Sequence, residues 1–264
     1  MSWVPIPLPC DFTLANIPFG IFRPIPTLSP RVAIAIGAKT LDLHAFALGN
    51  GFSHLPESQP HLSVFTHPSL CHSLNAFAAL GPRMCETVRA YLQEVLTAGG
   101  KFSDVLEKHH ALQALVLRPR DPVEMCLPFQ IGDYTDFYAG RVHAFNVGCL
   151  FRGPENALQK NYEQLPVGYH GRASSVVVSG TPVHRPWGQT APGVFEPCRK
   201  LDLELELAAF VATGNGLGEP ISTADARGSI FGYVLMNDWS GVFCLSGSSW
   251  HLQGWGLLID GGAM

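Results

Sequence analysis

Charge is what this sequence has least of. Asp, Glu, Lys and Arg make up 14% of its 264 residues, against roughly 25% in a typical soluble domain. So apolar a surface points to cover from partner chains or further segments. No run of Lys or Arg occurs and the net charge is -4, which excludes a nucleic-acid binder, because phosphates demand clustered cations. No apolar stretch approaches the roughly 20 residues of a membrane helix. The proline-rich opening MSWVPIPLPCDF lacks the basic and apolar regions of a signal peptide. The seven cysteines, Cys10, Cys71, Cys85, Cys126, Cys149, Cys198 and Cys244, are scattered and odd in number, with no C-x-x-C pair. That spacing excludes a zinc site and reads as reduced core thiols. Walker A, G-x-S-x-G and G-x-G-x-x-G patterns are absent as well, and GNGLGEP (214–220) reads as a hairpin turn. The expectation is a soluble, cytoplasmic protein.

What is present is globular. The apolar share is 47%, and the length suffices for two domains with real cores. RVAIAIGAKTLDLH (31–44) carries a hairpin pattern. From Met84 to Ala98, Val88, Tyr91, Leu92, Val95 and Leu96 follow helical spacing, with Gly99 and Gly100 as the stop, and a shorter helix is expected over Leu70–Leu80. The proline-rich RPRDPVEMCLPFQ (118–130) marks a domain boundary. Beyond it strand patterns dominate: SSVVVSGTP (174–182), RKLDLELELAAFV (199–211) and FGYVLMNDW (231–239). The fold class is α+β, mainly β in the second half, without a βαβ rhythm.

Chemistry concentrates in the acids. In a strand over LDLELEL, Asp202, Glu204 and Glu206 share one face and the leucines the other, where they should build the core. A lone D-x-E-x-E is more often a solvated face. Three stacked like charges without interleaved Lys or Thr nevertheless repel one another, and a bound cation removes the conflict. Oxygen ligands without Cys or His suit Ca²⁺ or Mg²⁺. Asp238 closes a buried apolar run, where a charge is costly unless paired or coordinated. In GDYTDFY, Asp136 and Asp133 are rival ligands that periodicity does not separate. His143 is one of 11 histidines and draws weight as a general base from its nearness to that acidic segment. GYHGR (168–172) places glycines on both sides of Tyr169 and His170, for an ordinary turn or for close approach of the backbone to a ligand.

DFTLANIPFGIF (11–22), IGDYTDFYAGRVHAFNVG (131–148), NALQKNYEQLPVGYHGRASSVVVSGTPVHRP (156–186), KLDLELELAAFV (200–211) and LMNDWS (235–240) together closely resemble the fumarylacetoacetase family. The resemblance implies a small SH3-like N-terminal barrel (1–120), a mixed β-roll catalytic domain (121–240), a homodimer, and hydrolysis of the carbon–carbon bond of 4-fumarylacetoacetate, a β-diketo acid. It implies Asp136, Glu204, Glu206 and Asp238 as ligands of Ca²⁺ or Mg²⁺, His143 as general base, and Tyr138, Arg152 and Tyr169 as substrate contacts. The resemblance ends at Ser240. Residues 241–264 read as an unrelated tail on a catalytic domain cut short, so the expectation is a chain with open sheet edges and impaired or no activity. A non-catalytic fragment that binds metal or pairs with a full-length subunit is the competing reading.

Overall fold

The computed structural model describes residues 1–25, 28–55, 62–245, 248–252 and 257–259, with side chains described through Gly241 outside the two short gaps. Parts of the expected tail, residues 246–247, 253–256 and 260–264, lie outside the described residues.

The first half is built on an antiparallel sheet of five strands. These are β1 (Phe19–Arg23), β2 (Arg31–Ile36), β3 (Lys39–Asp42), β4 (Leu117–Pro119) and β5 (Glu124–Cys126), in the order β4-β3-β2-β1-β5. The expected hairpin over 31–44 is β2–β3, with Ala33 opposite Asp42 and Ile36 opposite Lys39. Helices α1 (Leu43–Leu48), α2 (Ser63–Thr66), α3 (Asn75–Ala78), α4 (Pro82–Leu96), α5 (Ser103–Leu106) and α6 (His110–Val116) follow β3. The periodic residues Val88, Tyr91, Leu92, Val95 and Leu96 are the buried face of α4. The helix expected over Leu70–Leu80 shrinks to α3. The backbone N–H groups of Leu70 and Cys71 turn back to the His67 carbonyl, which spends the earlier residues on a turn. The proline-rich segment taken as a boundary is no free linker, because β4 and β5 lie at the two ends of this sheet's strand order.

The second half contains β6 (Thr135–Phe137), α7 (Arg141–Arg152), β7 (Gly168–His170), β8 (Val176–Val178), β9 (Trp187–Ala191), β10 (Val194–Pro197), β11 (Lys200–Val211), β12 (Ile230–Leu245), β13 (Ser248–Leu252) and β14 (Leu257–Ile259). β6–β7 and β9–β10 are two-stranded ribbons, and the larger sheet runs β11-β12-β14-β8 with β13 also on β12. β14 pairs antiparallel with β12 and parallel with β8. Residues expected to be an unrelated tail thus supply strands to this sheet. Helix α7 is the one long helix among the described residues of this strand-rich half, and no helix is expected there from the sequence. It seats itself through small residues: Ala144 and Gly148 are its buried positions, and a Cβ on Gly148 would lie 2.0 Å from the Ala157 carbonyl oxygen.

The leucine face requires a correction. Leu203, Leu205 and Leu207 were expected in the core, yet they are exposed, Leu205 by 75%. The strand turns its other face inward: Ala208 packs against Val176 and Val234, and Phe210 stacks on Phe129. Glu204 and Glu206 are therefore half-buried. Alternation was read correctly and its direction was reversed. The main core lies in the first half, and a chain of rings, Phe19, Phe77, Phe231, Phe129 and Phe210, ties the second half to it.

Candidate functional site

The β11–β12 register sets Glu204 directly opposite Asp238 and Glu206 opposite Met236, so two glutamates and one aspartate share the inner face of one ribbon. The β6–β7 ribbon adds a third source. There Asp136 is the direct partner of Tyr169, and a Cβ on Gly171 would lie 1.9 Å from the Tyr134 ring. Both glycines of GYHGR thus make room for the protein itself, Gly171 for the Tyr134 ring and Gly168 for the Asp136 carbonyl oxygen, which would lie 2.7 Å from a Cβ there.

Carboxylate oxygens of Asp136, Glu206 and Asp238 lie within 4.8 Å of one another. Asp133 is elsewhere, with Oδ2 3.2 Å from His170 Nε2. The fourth expected ligand, Glu204, falls outside this triad, and its Oε2 lies 3.6 Å from His143 Nε2. Burial, with Asp136, Asp238 and Glu204 around it, pushes the Glu206 carboxyl up to about 8. Burial, then Glu204 and Asp136, pushes Asp238 up to about 6. Asp238 is 3% exposed and its Oδ1 has no hydrogen-bond partner. A carboxylate oxygen in that position is costly unless a proton or cation faces it. The donor set is all oxygen and acidic, so it fits a hard divalent ion and not zinc or copper.

Helix α7 presents His143 and Arg152 from opposite ends. The His143 ring meets the Tyr138 ring edge to face, with centroids 5.6 Å apart. The Arg152 guanidinium donates to the carbonyls of Asn156 and Ala157, at 3.1 and 2.6 Å, so it is held in place by backbone. A cavity of about 350 Å³ opens beside it, lined by Tyr138, Arg152, Ala157, Leu158, Gln159, Asn161, Tyr162 and Val167. Its walls hold one cation and no acid, which suits an anion. The acidic triad does not line this cavity. Tyr138, which lines the cavity and packs on His143, connects the two, with Glu204 against the histidine's Nε2.

Tyr169, expected among the substrate contacts, donates its hydroxyl to Asp136 Oδ2 over 2.7 Å. Tyr162 escaped the sequence reading. Its ring stands edge to face on Tyr138, with centroids 6.0 Å apart, and its hydroxyl is buried without a partner. Tyr134, whose hydroxyl burial and the nearby acids push above its ordinary range, escaped as well. Nothing in the spacing of either residue marks it.

Two family models match the chain. Fumarylacetoacetase N-terminal covers residues 15–128, and Fumarylacetoacetate (FAA) hydrolase C-terminal covers 134–253. The chain belongs to the fumarylacetoacetase family. The fumarylacetoacetase of Aspergillus fumigatus is 54% identical over 247 residues, 90% of this chain and 56% of the relative. The Homo sapiens fumarylacetoacetase is 45% identical over 249 residues, 91% of this chain and 56% of the relative. The Arabidopsis thaliana one is 41% identical over 244 residues, 90% and 56%. The chain spans about half the length of the curated relatives it matches. The match to the second fumarylacetoacetase model passes Ser240, where the sequence reading ended the resemblance, and runs to residue 253. Among the described residues, no helix is long and apolar enough to cross a membrane.

Proposed function

We propose that this protein carries the site for metal-dependent hydrolysis of the carbon–carbon bond of 4-fumarylacetoacetate, giving fumarate and acetoacetate. The observation that supports it most is the partnerless, buried Asp238 oxygen in an all-oxygen acidic cluster beside His143 and a cationic cavity. The names of the relatives supply the substrate. Asp136, Glu206 and Asp238, with Glu204 beside them, would hold Ca²⁺ or Mg²⁺. Such an ion, when bound, supplies Lewis acidity toward the two oxygens of a β-diketone.

The chain's own residues do the rest. His143 accepts a proton from water as the water oxygen bonds to one carbonyl carbon. Glu204, 3.6 Å away, stabilises the imidazolium so formed. The carbon–carbon bond then breaks, its electron pair leaves with the acetoacetate fragment, and that fragment takes up the proton from His143. Arg152 and Tyr138 anchor the substrate through a carboxylate, and the backbone bonds of Arg152 hold its guanidinium still for that purpose. An SH3-like first domain, a β-roll second domain, a homodimer and a cytoplasmic location complete the proposal on family grounds.

The test is hydrolysis followed by loss of β-diketone absorbance, in this chain and in the same residues extended to the length of the relatives. Chelation should abolish turnover, and His143→Ala should lower it about 10²–10⁴-fold with divalent-ion binding retained. Turnover that survives exhaustive chelation would refute the metal assignment.

A further inference from the structure

Tyr169 and Asp136 are tied together more closely than a substrate contact and a metal ligand need to be. They are direct partners across the β6–β7 ribbon, and their hydroxyl–carboxylate bond is 2.7 Å long. The ribbon is fixed at both ends, by the Tyr138 amide on the Val167 carbonyl at 2.8 Å and the Gly171 amide on the Tyr134 carbonyl at 3.0 Å. The Tyr169 ring is partly buried there. A phenol has one proton to donate. In this arrangement Asp136 Oδ2 takes it, and a substrate cannot receive it at the same time. Asp136 is left with one oxygen, Oδ1, free of that bond.

The number of oxygens a carboxylate offers decides which hard ion it suits. Ca²⁺ accepts six to eight oxygens at about 2.3–2.6 Å, from carboxylates bound through one oxygen or two, whereas Mg²⁺ demands near-octahedral single contacts at about 2.0–2.1 Å. A carboxylate oxygen that already accepts a hydrogen bond keeps one lone pair but is the weaker donor of the two, which biases the group toward the one-oxygen mode that both ions accept. That the cluster faces a cation at all is supported separately by Asp238, 3% exposed with an oxygen that no protein group meets.

We propose that Tyr169 is a positioning residue that favours one-oxygen ligation by Asp136 and so keeps Mg²⁺ competitive with Ca²⁺ at the Asp136, Glu206 and Asp238 cluster. The inference rests on the metal reading above and adds to it a determinant of ion choice. Tyr169→Phe removes the hydroxyl and keeps the ring.

The chelator-stripped chain is titrated calorimetrically with CaCl₂ and with MgCl₂, in the wild-type and Tyr169→Phe forms. Loss of an outer partner of a ligand typically weakens metal binding about 10–100-fold. The expected result is a loss of that order for Mg²⁺ and a much smaller one for Ca²⁺, so the Ca²⁺ to Mg²⁺ affinity ratio rises at least several-fold. A purely structural role would weaken both ions equally, and an equal loss, or no change, overturns the proposal. Infrared difference spectra of the calcium-loaded wild type against Asp136→Asn give a second reading that does not need the tyrosine variant to fold. A carboxylate splitting typical of one-oxygen binding at Asp136 supports the inference, and a two-oxygen splitting overturns it. A wild-type chain that binds neither ion overturns the metal reading and this inference with it. A chain that binds both with a ratio unmoved by Tyr169→Phe overturns the inference alone.

Discussion

In the first half of the molecule Phe46, Phe52, Phe65 and Phe77 sit ring against ring at 5.0–5.3 Å, wholly enclosed. The buried carboxylate of that half, Asp42, is met by Arg31 and the Ala45 amide, whereas in the second half the buried Asp238 has an oxygen without a hydrogen-bond partner and the leucines of β11 face outward. Area removed from water stabilises the first half and owes little to pH or dissolved ions. The second half gathers like charges on its inner face, so its stability depends on whatever neutralises them. One half is a finished core, while the other is arranged around a site.

The comparison breaks most directly by truncation of one residue from each half. Phe77→Ala should cost about 3–5 kcal/mol in urea unfolding, as enclosed aromatics do, and Leu205→Ala should stay within about 0.5 kcal/mol, as exposed positions do. A Leu205 variant as damaging as the Phe77 variant would show that the leucine face is covered in solution. At the site itself, Glu206→Ala should weaken calcium binding by more than about 100-fold, beyond the loss expected for an outer partner. Asp202→Ala, on the same strand face but outside the triad, should change it by less than about threefold. Equal losses at the two positions would point to damage to the strand and not to coordination.

Proton linkage sharpens the contrast further. Glu206 and Asp238 titrate near 8 and near 6 when folded, above the values of about 4 that such groups have in an unfolded chain. The folded chain therefore holds protons that the unfolded chain releases, and the stability this brings is complete below about pH 4 and lost as pH rises through about 6 and 8. In chelator, the thermal midpoint of the second half should fall between about pH 5 and pH 8, while that of the first half changes little. Saturating Ca²⁺ should oppose the fall, because the ion competes for the same oxygens and binds better as they lose protons. A midpoint in chelator that rises with pH would remove the carboxylate cluster from the account. A small effect of the opposite sign is expected at Tyr162. Its hydroxyl is buried without a partner, so Tyr162→Phe should be neutral or stabilising by about 1 kcal/mol. A loss of that size would reveal an acceptor for it.

Legibility followed the size of the residues that packing uses. α4 was readable because its buried face consists of large apolar residues at regular spacing, Val88 through Leu96. β11 and β12 were readable from alternation and from an apolar run. α7 was hidden because Ala144 and Gly148 are what it buries, while Val142, Leu150 and Phe151 face outward, so its hydropathy pattern points away from its contact. The inward turn of the β11 acids was equally hidden, since period two gives two faces and does not say which is covered. The choice between Asp133 and Asp136 depended on pairing with Tyr169 across a ribbon whose strands lie far apart in sequence. No local pattern contains that. Resemblance supplied the proposed ligand set, and the geometry added that Glu204 lies outside the triad with an oxygen 3.6 Å from His143 Nε2.

The opposed pair Glu204 and Asp238 also bears on how the chain folds. β11 and β12 are joined through residues 212–229, and near that loop the cross-strand partners are apolar: Ala208 with Val234, and Leu207 with Leu235. A ribbon nucleated at its connecting loop closes these pairs first, because the shortest loop is the least costly to close. Zipping onward past Glu206 with Met236 and Leu205 with Asn237, it meets Glu204 against Asp238, two acids in direct register, where repulsion slows the advance unless a proton or cation is present. The second half should therefore fold at a rate set partly by solution calcium and pH, and the first half at a rate indifferent to both. Stopped-flow refolding with and without Ca²⁺ would register that as one phase that accelerates and one that does not.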